Sequence, residues 1–140
     1  ALKARDPYWA EQVAIQHDSA LGWQQFASGQ REQGLAMLRA AAERESRTDK
    51  HAITPGPLAP ARELLAEALL EAGQAAAALA EFQAVQRTEP RRFRAIAGAA
   101  RAAEAAGERD AARVAYGQLL DVAGGGARPE LVAARAYLGR

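Results

Sequence analysis

Residues 73–82 read GQAAAALAEF and residues 107–116 read GERDAARVAY. The two stretches share a spaced pattern at an offset of 34 residues: Gly73, Ala78 and Phe82 are followed by Gly107, Ala112 and Tyr116. Each glycine lies between two Ala-rich runs, and no Val/Ile/Thr-rich alternation interrupts them, so the period contains helix, turn and helix and no strand. A left-handed residue ends a helix sharply, and glycine supplies it at no steric cost. The small Ala and the ring that follows it four residues later share one helix face. The small side chain admits a neighbouring helix and the ring fills the space beside it. A fixed period in the thirties with a helix pair inside marks a helical solenoid, whose usual product is an extended surface.

Working outward, the sequence predicts seven helices. The first runs from about Pro7 to Ser28, with Asp6 as its cap and Pro7 in its first turn. Gly29 ends it. The second runs from about Arg31 to Arg47. The segment from Thr48 to Pro57 contains Thr54-Pro55-Gly56-Pro57 and is excluded from helix. A third helix opens near Ala59–Pro60 and closes at Gly73; the fourth spans Ala75 to Thr88 and is closed by Pro90. The fifth spans Arg92 to Ala106 and the sixth Asp110 to Val122. Gly124-Gly125-Gly126 breaks the chain before a last helix, Pro129 to Leu138. Two- or three-residue joints make each pair antiparallel.

The 140 residues hold one domain's worth of core, and the low aromatic content, 6%, calls for close-packed small side chains. No cysteine is present, which excludes disulfides, thiol catalysis and cysteine-ligated metal. No run is long and apolar enough to span a membrane. The net charge of +1 is unevenly spread: residues 51–90 carry 2 basic and 5 acidic groups, residues 91–140 carry 9 and 5. Such asymmetry either steers a charged partner or joins an acidic segment to a basic neighbour.

These residues resemble the tetratricopeptide repeat, whose 34-residue unit has a Gly in its inner turn, Ala then an aromatic on its second helix, and Pro near its end. Residues 59–92 supply Gly73, Ala78, Phe82 and Pro90. Residues 93–126 supply Gly107, Ala112 and Tyr116, with Gly124 in place of the proline. The first unit, about residues 7–48, is degenerate: its turn glycine is Gly29, its small residue Gly34 and its large one Leu38. A ten-residue insertion, the 48–57 loop, separates it from the next unit, and its first helix is overlong. The resemblance implies an all-α, right-handed solenoid of three antiparallel helix pairs with a C-terminal capping helix (about 129–138), forming a single domain over 1–140 of bacterial, Ala/Arg-rich character.

In that family the first helix of each unit lines the concave face. Carried over, the groove holds Gln16, Ser19, Trp23, Phe26 and Ala27 in the first unit. The second gives Pro60, Glu63, Glu67, Leu70 and Glu71, and the third Arg94, Ala97, Arg101, Glu104 and Ala105. Trp23 and Phe26 serve either as an apolar anchor pocket or as core. Glu67 and Arg101 are either an inter-repeat ion pair or ligand contacts. Lys50 and His51 sit beside the proline-rich loop, which is either a stiff connector or part of a binding edge. The expected partner-binding residues are thus Trp23, Phe26, Glu63, Glu67, Arg94, Arg101, Lys50 and His51.

Chemistry finds little support. His17 and His51 are the only histidines, without a paired-histidine metal motif. No serine lies in a nucleophile elbow, Glu63 and Glu67 lie too close together on one helix for an inverting pair, and no phosphate loop is present. The expectation is therefore no enzyme, no cofactor and no metal. An RNA reader needs recurring base-reading side chains on a basic surface, so nucleic acid is not expected, nor membrane insertion. Two readings remain: a non-catalytic module that takes a protein, peptide or helix in its groove, and a structural segment that self-associates, as in a homodimer.

Overall fold

A computed structural model describes residues 6–48, 57 and 59–140. Among them are seven helices and no strand: α1 Pro7–Ala27, α2 Arg31–Ser46, α3 Ala61–Glu71, α4 Ala75–Thr88, α5 Phe93–Ala105, α6 Arg109–Ala123 and α7 Pro129–Leu138. The chain is all-α, with helix ends within two residues of those expected. Asp6 caps α1 as its position implies, its carboxylate accepting the Trp9 amide at 3.2 Å.

Three of the joints have one backbone. Gly29, Gly73 and Gly107 adopt φ of 97°, 77° and 77°. In each, the residue after the glycine donates back five residues along the chain: Gln30 to Gln25 O at 3.0 Å, Gln74 to Leu69 O at 2.9 Å, Glu108 to Ala103 O at 2.9 Å. The glycine amides close the inner bond, to Phe26 O, Leu70 O and Glu104 O at 3.2, 3.0 and 3.1 Å. This pair of bonds satisfies carbonyls that a helix end leaves open, and its left-handed position favours glycine. The first new helical bond then comes from the small residue itself, Gly34, Ala78 or Ala112, each donating over 2.9 Å to the carbonyl of the residue that follows the glycine.

By packing the chain divides into two compact units, Ala1–Ala68 and Leu69–Arg140. In the first, α1 and α2 meet where both lack a side chain. A Cβ on Gly34 would stand 2.5 Å from the Phe26 nitrogen and 2.6 Å from the Gly22 carbonyl oxygen. Ile15, Phe26, Leu38, Ala41 and Ala42 are buried around this crossing. The amide of Ala61, which begins α3, donates to the Glu45 carboxylate on α2 at 2.8 Å, and Arg62 reaches the Ser46 hydroxyl at 2.8 Å. Glu45 thus places a negative charge at the start of a helix whose flanking residues, Ala59 and Pro60, offer no capping side chain.

In the second unit α4, α5, α6 and α7 pack in sequence order. Phe82 is fully buried, and its ring lies against Gly98 of α5, where a Cβ would come within 2.3 Å of it. Phe82 thus seats the helix that follows its own. Tyr116 does bridge its pair, donating from α6 to Glu104 on α5 at 2.6 Å. Between α4 and α5, Pro90 and Arg91 form a tight turn closed by Arg92 N to Glu89 O at 3.3 Å, with Arg91 at φ 65°. Beyond Gly124–Gly126, α7 buries Leu131 and Ala134, and Tyr137 lies over Tyr116 at a ring separation of 4.8 Å.

Two substitutions test this packing. Phe82→Ala should cost ~3–5 kcal/mol in denaturant unfolding, and Gly98→Ala ~1–3 kcal/mol through its clash with the ring. The two costs should be strongly non-additive, because removing the ring also removes the clash. Additive costs would show that Phe82 and Gly98 are not in contact.

Candidate partner-binding surfaces

In the Ala1–Ala68 unit the expected groove positions separate into packed and open ones. Phe26 is only 3% exposed. Its ring lies between Trp23, stacked at 5.7 Å, and the guanidinium of Arg31 at 5.4 Å. Its backbone also forms part of the wall against Gly34. Phe26 therefore supports the crossing of α1 and α2, and Trp23, half-buried, is the one ring of the pair with an open side. Ser19 is buried and its hydroxyl donates to Ile15 O at 2.8 Å within its own helix. Gln16 reaches Ala59 O at 3.4 Å, and Gln12 reaches the Thr48 hydroxyl at 3.3 Å. These two bonds tie α1 to both flanks of the insertion. Glu63 is fully buried (0% exposed), which removes it from a solvent-open face, while Glu67 is half-buried. Lys50 and His51, the remaining candidates of this unit, lie outside the described residues.

A polar cluster that the sequence reading did not single out fastens α1 to α2. The Arg44 guanidinium meets both oxygens of Glu11, at 3.0 and 3.1 Å, and also meets Asp18. Glu11 and Asp18 are seven apart, two turns on one face, which is the only sequence signal for it. His17 Nδ1 stands 3.2 Å from the other Asp18 oxygen. The His17 hydrogen bond, reinforced by Arg44 and opposed by burial, holds the Asp18 carboxyl below its ordinary range. The hydrogen bond to Glu11, with Asp18 adding to it and burial opposing it, holds Arg44 above its own. A lowered carboxyl contributes stability that is present above about pH 4 and is lost as the pH falls through the folded value. Because over a third of the Asp18 side chain is exposed, the cluster is worth ~1 kcal/mol or less.

In the Leu69–Arg140 unit α5 has two faces of opposite character. One is buried: Gly98, Ala99, Ala102 and Ala103. The other carries Arg94, Arg101, Glu104 and Ala105, all exposed, with Ala97 between the arginines at the surface of the core. Arg94 and Arg101 are two turns apart, a rise of roughly 10 Å. Glu104 accepts a hydrogen bond from the Tyr116 hydroxyl, and two arginines against this one carboxylate give the strip a net positive charge. Arg128 adds a guanidinium over the Phe93 ring, 5.0 Å from its centre, near the start of α5. Burial, with the bond to Glu104 second, pushes the Tyr116 hydroxyl's pKa up.

Among the described residues no group of three or more His, Asp or Glu side chains is placed to hold a metal ion, and no helix is long and apolar enough to cross a membrane. No protein-family model matches the chain, and no curated protein matches it.

Two pH effects follow. Below about pH 4, Asp18→Asn should melt closer to the wild type than at neutral pH, because the interaction it removes is already titrating away. The Tyr116 contribution runs the other way: with its folded pKa raised, it is fully present below about pH 10 and is lost above it. Tyr116→Phe should therefore flatten the alkaline fall in melting temperature. A parallel fall in both proteins would show that the hydroxyl of Tyr116 is not held as described.

Proposed function

We propose that the chain is a tetratricopeptide-type interaction module, without catalytic activity, that takes a peptide or helix of a partner protein on the open faces of its first helices. The finer fold reading, a right-handed solenoid with a concave groove, belongs with this proposal. The observation that carries it is the recurrence of one glycine turn at Gly29, Gly73 and Gly107, each followed by a buried small residue and a buried large one: Gly34 and Leu38, Ala78 and Phe82, Ala112 and Tyr116. A repeated helix-turn-helix unit of this length characterises interaction solenoids.

The chemistry of each unit's open face narrows the ligand. On α5, Arg94 and Arg101 suit an acidic segment, because guanidinium groups bind carboxylates in a fixed fork geometry. On α1, Trp23 offers a ring backed by Phe26, which suits an apolar side chain. A second reading, a structural segment that self-associates, is favoured by one observation, an uncovered face of α1.

A random peptide library displayed on phage and selected on the immobilised chain tests the main reading. Enriched peptides should carry acidic residues, and their affinity should fall about tenfold or more in Arg101→Glu and in Trp23→Ala. It should also fall as salt rises, because the arginines are exposed. Arg101→Glu should melt within about 2 °C of the wild type. Enrichment of peptides that bind both variants as tightly as the wild type would place the ligand surface elsewhere.

A further inference from the structure

The turn glycines line up the same two positions in each helix pair. Three residues before the glycine stand Phe26, Leu70 and Glu104, and nine residues after it stand Leu38, Phe82 and Tyr116. In the first two pairs both positions are apolar. Only in the last does a carboxylate stand at one and a hydroxyl at the other, and the two are bonded: Tyr116 donates to Glu104 at 2.6 Å. Packing asks for the ring of Tyr116 and not for its hydroxyl, since Leu and Phe fill the equivalent places. The ring is firmly seated, buried and set against Tyr137 of α7 at 4.8 Å. Its hydroxyl therefore has a fixed position from which to hold Glu104, an exposed residue of α5. Glu104 follows Arg101 by three residues, and side chains so spaced on a helix are within reach of each other. Arg101 is also near the hydroxyl: burial and then Glu104 raise the Tyr116 pKa, and the Arg101 charge opposes them.

From this we propose that Tyr116 is a positioning residue for the arginine strip of α5: its hydroxyl holds the Glu104 carboxylate toward α6 and off the Arg101 guanidinium. A carboxylate one turn from an arginine competes directly with an acidic ligand, because a partner on the same helix acts at a high effective concentration. The strip's formal charge is the same with or without the bond. What the bond changes is where the negative charge stands. Exposed ion pairs on a helix are weak, so releasing Glu104 lowers the affinity for an acidic ligand without abolishing it. The inference rests on the reading of Arg94 and Arg101 as a seat for acidic segments, and adds to that seat a residue from the neighbouring helix.

Fluorescence anisotropy with a hexaglutamate peptide carrying a neutral dye, at neutral pH and low salt, tests it. Hexaglutamate should bind the wild type, and about tenfold more weakly Arg101→Glu. Tyr116→Phe, which keeps the ring, should bind it about threefold more weakly, the size expected when one exposed ion pair competes with the ligand. Glu104→Gln should bind it as tightly as the wild type or more tightly. Adding Glu104→Gln to Tyr116→Phe should restore the affinity to that of Glu104→Gln alone. A merely structural loss in Tyr116→Phe would not be repaired by a second change on α5. If Arg101→Glu weakens binding but Tyr116→Phe binds as the wild type does, or is not rescued by Glu104→Gln, the inference is overturned and the seat for acidic segments stands. Hexaglutamate that fails to bind the wild type, or that binds Arg101→Glu equally well, would overturn both.

Discussion

Two helices can approach closely only where one of them lacks a side chain, and this chain meets that constraint by placing a small residue one turn beyond each glycine joint. At Gly34 the space is so completely taken by the backbone of α1 that even a methyl group would overlap the Phe26 nitrogen. Ala78 and Ala112 hold the equivalent places and are fully buried. The large residue one turn further on, Leu38, Phe82 or Tyr116, is buried in each case. Glycine turn, small residue and large residue are thus parts of one device: the turn aims the second helix, the small residue sets its distance, and the large residue fills what remains. Phe82 shows how one such device is joined to the next, because its ring rests in the gap left by Gly98 on the following helix.

The all-α class and most of the helix boundaries were legible because their signals are local. Helix ends follow from Asp6, Pro7, the turn glycines, Pro90 and Pro129, each acting on its neighbours through backbone geometry. The degenerate first unit could be aligned because Gly29 fixes its turn, and Gly34 then falls where a small residue is required. What was not legible depends on which element covers a given face. A helical period places Ser19, Phe26 and Glu63 at positions that line an open face in a repeat family, but the three are buried here. The Arg44 cluster joins groups 26 and 33 residues apart, and Glu45 caps a helix 16 residues downstream. No local spacing announces such pairings. Gly98 likewise reads as one small residue among many in an alanine-rich helix until the ring that needs its vacancy is seen.

For function, the consequence is a division of labour on the first helices. Apart from Ile96, the side of α5 that packs is made of Gly and Ala, so it binds neighbours by closeness and leaves little room for side-chain chemistry. The opposite side can then be given to charge, as Arg94 and Arg101 show. On α1 the division is threefold. One side packs on α2 through Gly22, Ile15 and Phe26, one carries the half-open Trp23, and one presents the uncharged row of Trp9, Val13 and Ala20. The proposed peptide-binding surface occupies the second of these sides.

In this structure the small residue after each turn sets the helix spacing. The most direct test is the denaturant midpoint of Ala78→Leu and Ala112→Leu, measured beside Ala76→Leu, whose site on α4 is exposed. Leu and Ala have similar helix propensity, so the comparison isolates packing. Overfilling the buried sites should cost ~1–3 kcal/mol or more each, while the exposed site stays within ~0.5 kcal/mol of the wild type. Equal midpoints for all three variants would contradict the claim.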